Sequence, residues 1–236
     1  MIVFAINSAT AQNSGSCGDN ATWTFDTQTQ TLTISGIGEM ANYSYSSIPW
    51  KNIKANIKNV VINEGITNIG GCAFYDCRSL TFVTIPNSVT AIGSSAFYGC
   101  TSLTSVTIPN SVTTIGSSAF SGCEKLTSVT IPNSVTTIGR SAFYKCTSLT
   151  SVTIPNSVTA IEDGAFYKCT SLTSVTIPNS VTTIGNYAFY DCTSLENVYL
   201  YANPDNLTWE YDYNEFIKDP KKGTNCHVIA DYFDKY

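Results

Sequence analysis

The sequence predicts a repeat solenoid: 23-residue units wound as successive coils, each with one β-strand and one short helical or 3-10 turn, behind a small β-rich N-terminal cap. Three observations predict it. The string Thr-Ile-Pro-Asn-Ser-Val-Thr begins at Thr84, Thr107, Thr130, Thr153 and Thr176, always 23 residues apart. A column of Leu80, Leu103, Leu126, Leu149, Leu172 and Leu195 keeps the same interval, with Ile57 opening a degenerate first copy. Charged residues make up only 12% of the chain against 43% hydrophobic, so Ser, Thr and Asn must provide most of the wetted surface.

Within one copy, Leu103-Thr104-Ser105-Val106-Thr107-Ile108 places Val106 and Ile108 on one side of an extended segment and Ser105 and Thr107 on the other. That is a strand with one buried face. Pro109 removes an amide donor and Asn110 favours a turn, so the strand ends there. Val112 and Ile115 turn inward again on a second short extended piece, and Gly116 permits a bend. The segment from Ser117 to Cys123 resembles a single helical or 3-10 turn that buries Ala119, Phe120 and Cys123.

No single coil buries its apolar edge alone, whereas stacked coils align the Leu, Val, Ile, Ala, Phe and Cys columns into one core. About seven coils run over 57–200, and at a strand spacing of about 4.8 Å they extend roughly 30 Å. Both ends of such a stack need covers. Residues 17–56 read as the N-terminal one, with Trp23, Phe25, Leu32 and Ile34 alternating with polar residues across a hairpin, then a short helix or turn from Ile48 to Ile57. Residues 201–236 read as a C-terminal capping segment in which Leu207, Trp209, Phe216 and Ile217 close the other end; it stops in mid-pattern, as a truncated chain would. Residues 1–16 read as a truncated signal peptide and linker, because Met1 to Ile6 is apolar and Ala9-Thr10-Ala11 has the small-x-small form of a secretory cleavage site.

Charge and motifs exclude several functions. The net charge is −5, and the 12 Lys and Arg are scattered rather than gathered on one face, so nucleic acid is not an expected partner. No apolar run reaches the eighteen residues that a membrane span needs.

The pattern Leu103-x-x-Val106-x-Ile108-Pro109-x-x-Val112-x-x-Ile115-x-x-x-Ala119-Phe120-x-x-Cys123 resembles the BspA-type leucine-rich repeat. The opening Ser16-Cys17-Gly18-Asp19, with Trp23-Thr24 and Leu32-Thr33-Ile34-Ser35-Gly36, is similar to the module that often precedes such arrays. One departure stands out: where the commoner leucine-rich repeat carries an asparagine, this chain has Ser111, with Asn110 one place early. The familiar asparagine ladder is therefore not expected. The resemblance implies a secreted or cell-surface protein that binds other proteins, among them host extracellular matrix or other cell surfaces, with no cofactor and no enzymatic activity.

Residues that ordinarily carry chemistry take structural readings. Cys77, Cys100, Cys123, Cys146, Cys169 and Cys192 recur at the repeat interval beside an Ala-Phe pair, which makes them small buried core residues rather than a disulfide framework. No Cys-x-x-Cys or paired-His spacing suggests a metal site. His227, the lone histidine, sits beside Cys226 in a terminal segment without an orienting third group. Glu162-Asp163 falls in the Gly-Ser-Ser slot of its coil, where substitution by a polar pair is expected to be silent.

The candidate binding surface is the outward face of the strand column. It comprises Phe82, Thr84, Ser105, Thr107, Ser128, Thr130, Ser151, Thr153, Ser174, Thr176, Asn197 and Tyr199, small and uncharged in the middle and aromatic at both ends. A second stripe follows each phenylalanine: Tyr75, Tyr98, Ser121, Tyr144, Tyr167 and Tyr190, joined by Lys145 and Lys168. Its tyrosines either anchor an interface or shield the core edge. The competing role for the whole array is a structural spacer with no dedicated ligand.

Overall fold

The structure, a computed structural model, describes residues 13–201 and the backbone of Thr208–Trp209 and Asn225–Val228. The expected leader and most of the expected C-terminal cover lie outside the described residues.

Each coil contributes two short strands, which stack in two parallel columns along the solenoid. The first sheet column begins with Asn59–Ile62 and Phe82–Thr84. These two belong to the sheet of the N-terminal hairpin, and a separate sheet then runs through Ser105–Thr107, Ser128–Thr130, Ser151–Thr153, Ser174–Ile177 and Asn197–Leu200. Asn225–Val228 pairs onto its last rung. The second column holds Ile66–Ile69, Ala91–Ile92, Thr114–Ile115, Thr137–Ile138, Ala160–Ile161 and Thr183–Ile184, with Thr208–Trp209 beyond. Its strands are two residues long in most coils because Pro-Asn-Ser ends the first strand and the Gly-Ser bend follows at once. Val112 and Ile115 sit inside, as alternation across the bend requires.

The third side of the coil differs from expectation. Among the described residues the only helix is the 3-10 turn Lys54–Asn56, and the segment after Gly116 is a chain of tight turns. Ala119, Ser121 and Cys123 donate to the carbonyls of Gly116, Ser118 and Phe120 three residues back. The alternate amides of Ser118, Phe120 and Gly122 reach across instead to Arg140, Ala142 and Tyr144 in the next coil, at 2.7–2.8 Å. A helix cannot send every second amide sideways. The backbone manages it by passing through the left-handed region at Ser118 (φ 56°) and Gly122 (φ 73°). The turn side of the solenoid is therefore hydrogen-bonded from coil to coil, as the two strand columns are apart from the step between Phe82–Thr84 and Ser105–Thr107.

The core is a set of straight columns. Phe74, Phe97, Phe120, Phe143, Phe166 and Phe189 are fully buried and stacked at centroid separations of 5.1–5.5 Å. The N-terminal cover continues the columns rather than simply lying across them. Ala21–Asp26 and Thr31–Gly36 form the expected antiparallel hairpin, with Ser14–Ser16 on its outer edge. Thr31–Gly36 then pairs in parallel with Asn59–Ile62, and Gly38–Glu39 pairs with Ile66–Ile69. Trp50 stacks on Phe74 at 5.7 Å and donates its indole N–H to the Ala73 carbonyl at 2.9 Å, so it takes the phenylalanine place in a longer initial coil.

Candidate functional site

Register places the candidate residues. Ser128 pairs with Ser105 and Ser151, Thr130 with Thr107 and Thr153, and the ladder runs on to Ser174, Thr176, Asn197 and Tyr199. With Val106, Val129 and Val152 buried between them, the flanking Ser and Thr side chains must point out. All twelve candidate residues lie on this face: Phe82, Thr84, Ser105, Thr107, Ser128, Thr130, Ser151, Thr153 and Thr176 are exposed, and Ser174, Asn197 and Tyr199 are half-buried. Phe82 is 52% exposed, a large apolar side chain at the N-terminal end of two hydroxyl columns.

These hydroxyls contrast with their neighbours. Thr81, Thr127, Thr150 and Thr173, one position earlier than the face, each donate to a carbonyl of the preceding coil at 3.0–3.4 Å. On the other column Thr90, Thr113, Thr159 and Thr182 do the same at 3.1–3.3 Å. Among the described residues, the hydroxyls of Thr107, Ser128, Thr130, Ser151 and Thr153 have no hydrogen-bond partner. Their donor and acceptor capacity remains available to water or to a ligand.

The place of the missing asparagine ladder is taken by serine. Ser88, Ser111, Ser157 and Ser180 donate to Ile66, Val89, Val135 and Val158 of the preceding coil at 2.6–2.7 Å, and Ser134 does the same to Val112. A shorter side chain suffices because its acceptor is a carbonyl directly above it. A second ladder is made of sulfur: Cys100, Cys123, Cys146, Cys169 and Cys192 donate to Phe74, Phe97, Phe120, Phe143 and Phe166 at 3.2–3.3 Å. The eight described cysteines are all free thiols. Burial pushes the thiols of Cys77 and Cys146 up to about 12, and those of Cys100, Cys123 and Cys169 well above the ordinary value. Neutral thiols held this way are poor nucleophiles and poor metal ligands.

The Glu162-Asp163 pair is not silent. Glu162 accepts the Arg140 backbone amide at 2.8 Å, Asp163 accepts the Asn186 amide at 2.8 Å, and the Asp163 carboxylate is bonded to the Arg140 guanidinium. Together with Ser117, Thr183 and Gly185 they line an open pocket of about 310 Å³. Opposite charges in the same slot of adjacent coils were the available sequence signal, and reading each coil separately hides it. Because the carboxylates are engaged with Arg140 and backbone amides, the pocket is an ionic bracket across three coils rather than an acid-base pair.

Comparison with known proteins supports this architecture. Six copies of a model described as BspA type leucine rich repeat region match the chain, over residues 49–163 and 115–219. Among solved structures, a leucine rich cell surface protein from Faecalibacterium prausnitzii is 34% identical with a TM-score of 0.65, covering 79% of this chain and 54% of that one. The chain thus spans about half the length of that protein. A leucine rich repeat protein of T. pallidum is 26% identical with a TM-score of 0.58, covering 73% of this chain and 86% of that one. A leucine-rich repeat protein from Bacteroides ovatus shares the fold at 24% identity and a TM-score of 0.50, covering 81% of this chain and 66% of that one. No curated protein matches.

Proposed function

The chain belongs to the BspA-type leucine-rich repeat family, and on that premise we propose that it is a non-enzymatic binding protein, secreted or held at a cell surface, that recognises host or neighbouring-cell proteins through its strand face. The observation that carries this reading is the contrast between hydroxyls. Flanking Thr and Ser side chains are spent on coil-to-coil bonds, whereas those of Thr107, Ser128, Thr130, Ser151 and Thr153 are not. Phe82 and Tyr199 supply aromatic area on either side of the hydroxyl columns. Six strands at about 4.8 Å make a face roughly 25 Å long, enough for one side of an ordinary protein interface. A surface location agrees with the F. prausnitzii protein, which is described as a cell surface protein.

Small hydroxyls without Trp or Arg give modest affinity per copy, so many copies on one surface supply the strength by avidity. A monomer binding its ligand at nanomolar affinity in solution would contradict that point. The test is surface binding of the chain to immobilised matrix proteins and mucins, beside a variant carrying Ser128→Arg and Ser151→Arg. Binding that the variant loses while its circular dichroism is unchanged supports recognition by the strand face.

A spacer array is the second reading. It is favoured by the identical outward pairs of Ser105–Thr107, Ser128–Thr130 and Ser151–Thr153, which repeat without individual character. No binding by either protein moves the weight to it.

A further inference from the structure

Two asparagines at the N-terminal end of the second strand column stand in acceptor sequences for N-linked sugar. Asn20-Ala21-Thr22 and Asn42-Tyr43-Ser44 each have a hydroxyl residue two places after the asparagine and no proline between. Asn20 lies in the bend before Ala21–Asp26, Asn42 in the irregular segment after Gly38–Glu39, and both are exposed. The fold brings them together. Ile37 donates its amide to the Asn20 carbonyl at 3.1 Å, and Ala41 donates to the Cys17 carbonyl at 2.8 Å, so the two segments lie side by side. Asn20 and Asn42 border one open hollow of about 340 Å³, which Ile37 and Glu39 also line.

The array offers a contrast. Asn87, Asn110, Asn133, Asn156 and Asn179 are exposed turn residues too, but each is followed by Ser-Val, so the hydroxyl comes one place early and none is an acceptor. At the cover, both side chains have room for the bond. Asn42 accepts the Gly71 amide through Oδ1 at 2.7 Å. Attachment of a sugar replaces one Nδ2 hydrogen and leaves that oxygen untouched, so the bond to Gly71 survives. Among the described residues neither Nδ2 has a hydrogen-bond partner. The same place has surface to hide. Gly38–Glu39 is the terminal strand of the column, and Ile37 beside it is 67% exposed. A sheet edge next to an open apolar side chain invites pairing with another chain, and hydrated bulk beside the edge prevents it.

We propose that Asn20 and Asn42 carry N-linked glycans, and that these two glycans cap the N-terminal edge of the second column while the strand face of the array stays bare. The donor is a polyprenyl-diphosphate-linked oligosaccharide, transferred by an oligosaccharyltransferase. Nδ2 of the asparagine forms a bond to C1 of the first sugar and the C1–O bond to the diphosphate breaks. The polyprenyl diphosphate leaves with that electron pair, and the amide proton passes to a base of the transferase. Transfer takes place on export, so the secreted or surface reading above is its premise.

The test is secretion of the full chain from a eukaryotic cell line behind that host's own leader, with Asn206→Gln removing the further acceptor sequence Asn206-Leu207-Thr208. Intact mass should show two glycans, both released by an N-glycosidase. Asn20→Gln and Ser44→Ala should each remove one, and together both. Ser44→Ala keeps the Asn42 side chain and its bond to Gly71, so the missing glycan cannot be ascribed to a damaged fold. Enzymatic release of the sugars should raise light scattering at high protein concentration, and Ile37→Ser should bring it back down. A secreted chain bare at either asparagine would overturn the assignment, and equal scattering before and after release would overturn the capping role. In the source cells, extracellular chain with both asparagines unmodified would overturn the proposal, whereas chain confined to the cytosol would overturn the surface reading instead.

Discussion

The thiol of Cys123 donates to the backbone carbonyl oxygen of Phe97, 26 residues earlier, at 3.3 Å. The same bond recurs in four other coils, so each cysteine both fills core volume and ties its coil to the preceding one. Replacing Cys123 by Ala should cost about 1–2 kcal/mol, from lost packing and one carbonyl left with a poorer partner. Phe120→Ala, which opens a hole in the central ring stack, should cost about 3–5 kcal/mol. Urea unfolding of both variants checks the order.

The thiol ladder also makes the fold sensitive to alkali. An unfolded cysteine ionises near pH 8.5, whereas burial raises Cys77 and Cys146 to about 12 and holds Cys100, Cys123 and Cys169 well above the ordinary value. Folded-state values above the unfolded one mean that the stabilisation is fully present below pH 8.5 and is lost as pH rises towards the folded values. Above pH 9 the unfolded chain binds fewer protons, so stability falls by about 1.4 kcal/mol per pH unit for each such thiol. Denaturation midpoints under reducing conditions should be level from pH 7 to 8 and drop steeply from 9 to 11. A flat profile to pH 11 would show that the thiols are not buried as described.

Serines of the same type should behave differently according to column. Ser134→Ala removes a half-buried donor from the Val112 carbonyl and should cost about 1 kcal/mol. Ser128→Ala, on the open face, should change stability by no more than about 0.5 kcal/mol. Thermal or chemical melts of the two single variants separate ladder from face.

The ionic bracket should be asymmetric. Arg140 is 66% exposed on its side chain, so Arg140→Ala should cost at most about 1 kcal/mol, less at high salt. Asp163→Ala should cost more and keep most of its effect in salt, because Asp163 also accepts the Asn186 amide. Paired melts at low and high salt give both numbers.

Much of this architecture is legible in the chain. The Leu, Val, Ile, Ala, Phe and Cys columns follow from one periodicity, and the outward place of Ser128 and Thr130 follows from alternation about Val129. What stays hidden depends on partners a coil away. Ser118 and Gly122 adopt left-handed backbone because alternate amides seek the next coil, and no local propensity announces that; a short helical turn is the natural reading of Ser117 to Cys123. The serine ladder is hidden for the same reason, since Ser134 finds its acceptor 22 residues earlier. Trp50 is readable as apolar but not as the first ring of the phenylalanine stack, because the initial coil is longer than the repeat. Arg140 and Asp163 look unrelated until the coils are superimposed.

The most direct test of the central claim compares arginines placed on two faces of one coil pair. Ser128→Arg with Ser151→Arg loads the strand face, and Thr136→Arg with Thr159→Arg loads the side of the second column, with the same added charge. Binding to an immobilised matrix protein that bound the parent should fall at least about tenfold for the first variant and stay within about twofold for the second, as blocking a hot region differs from blocking a rim. Equal losses, or a loss confined to the second variant, would contradict recognition through the strand face.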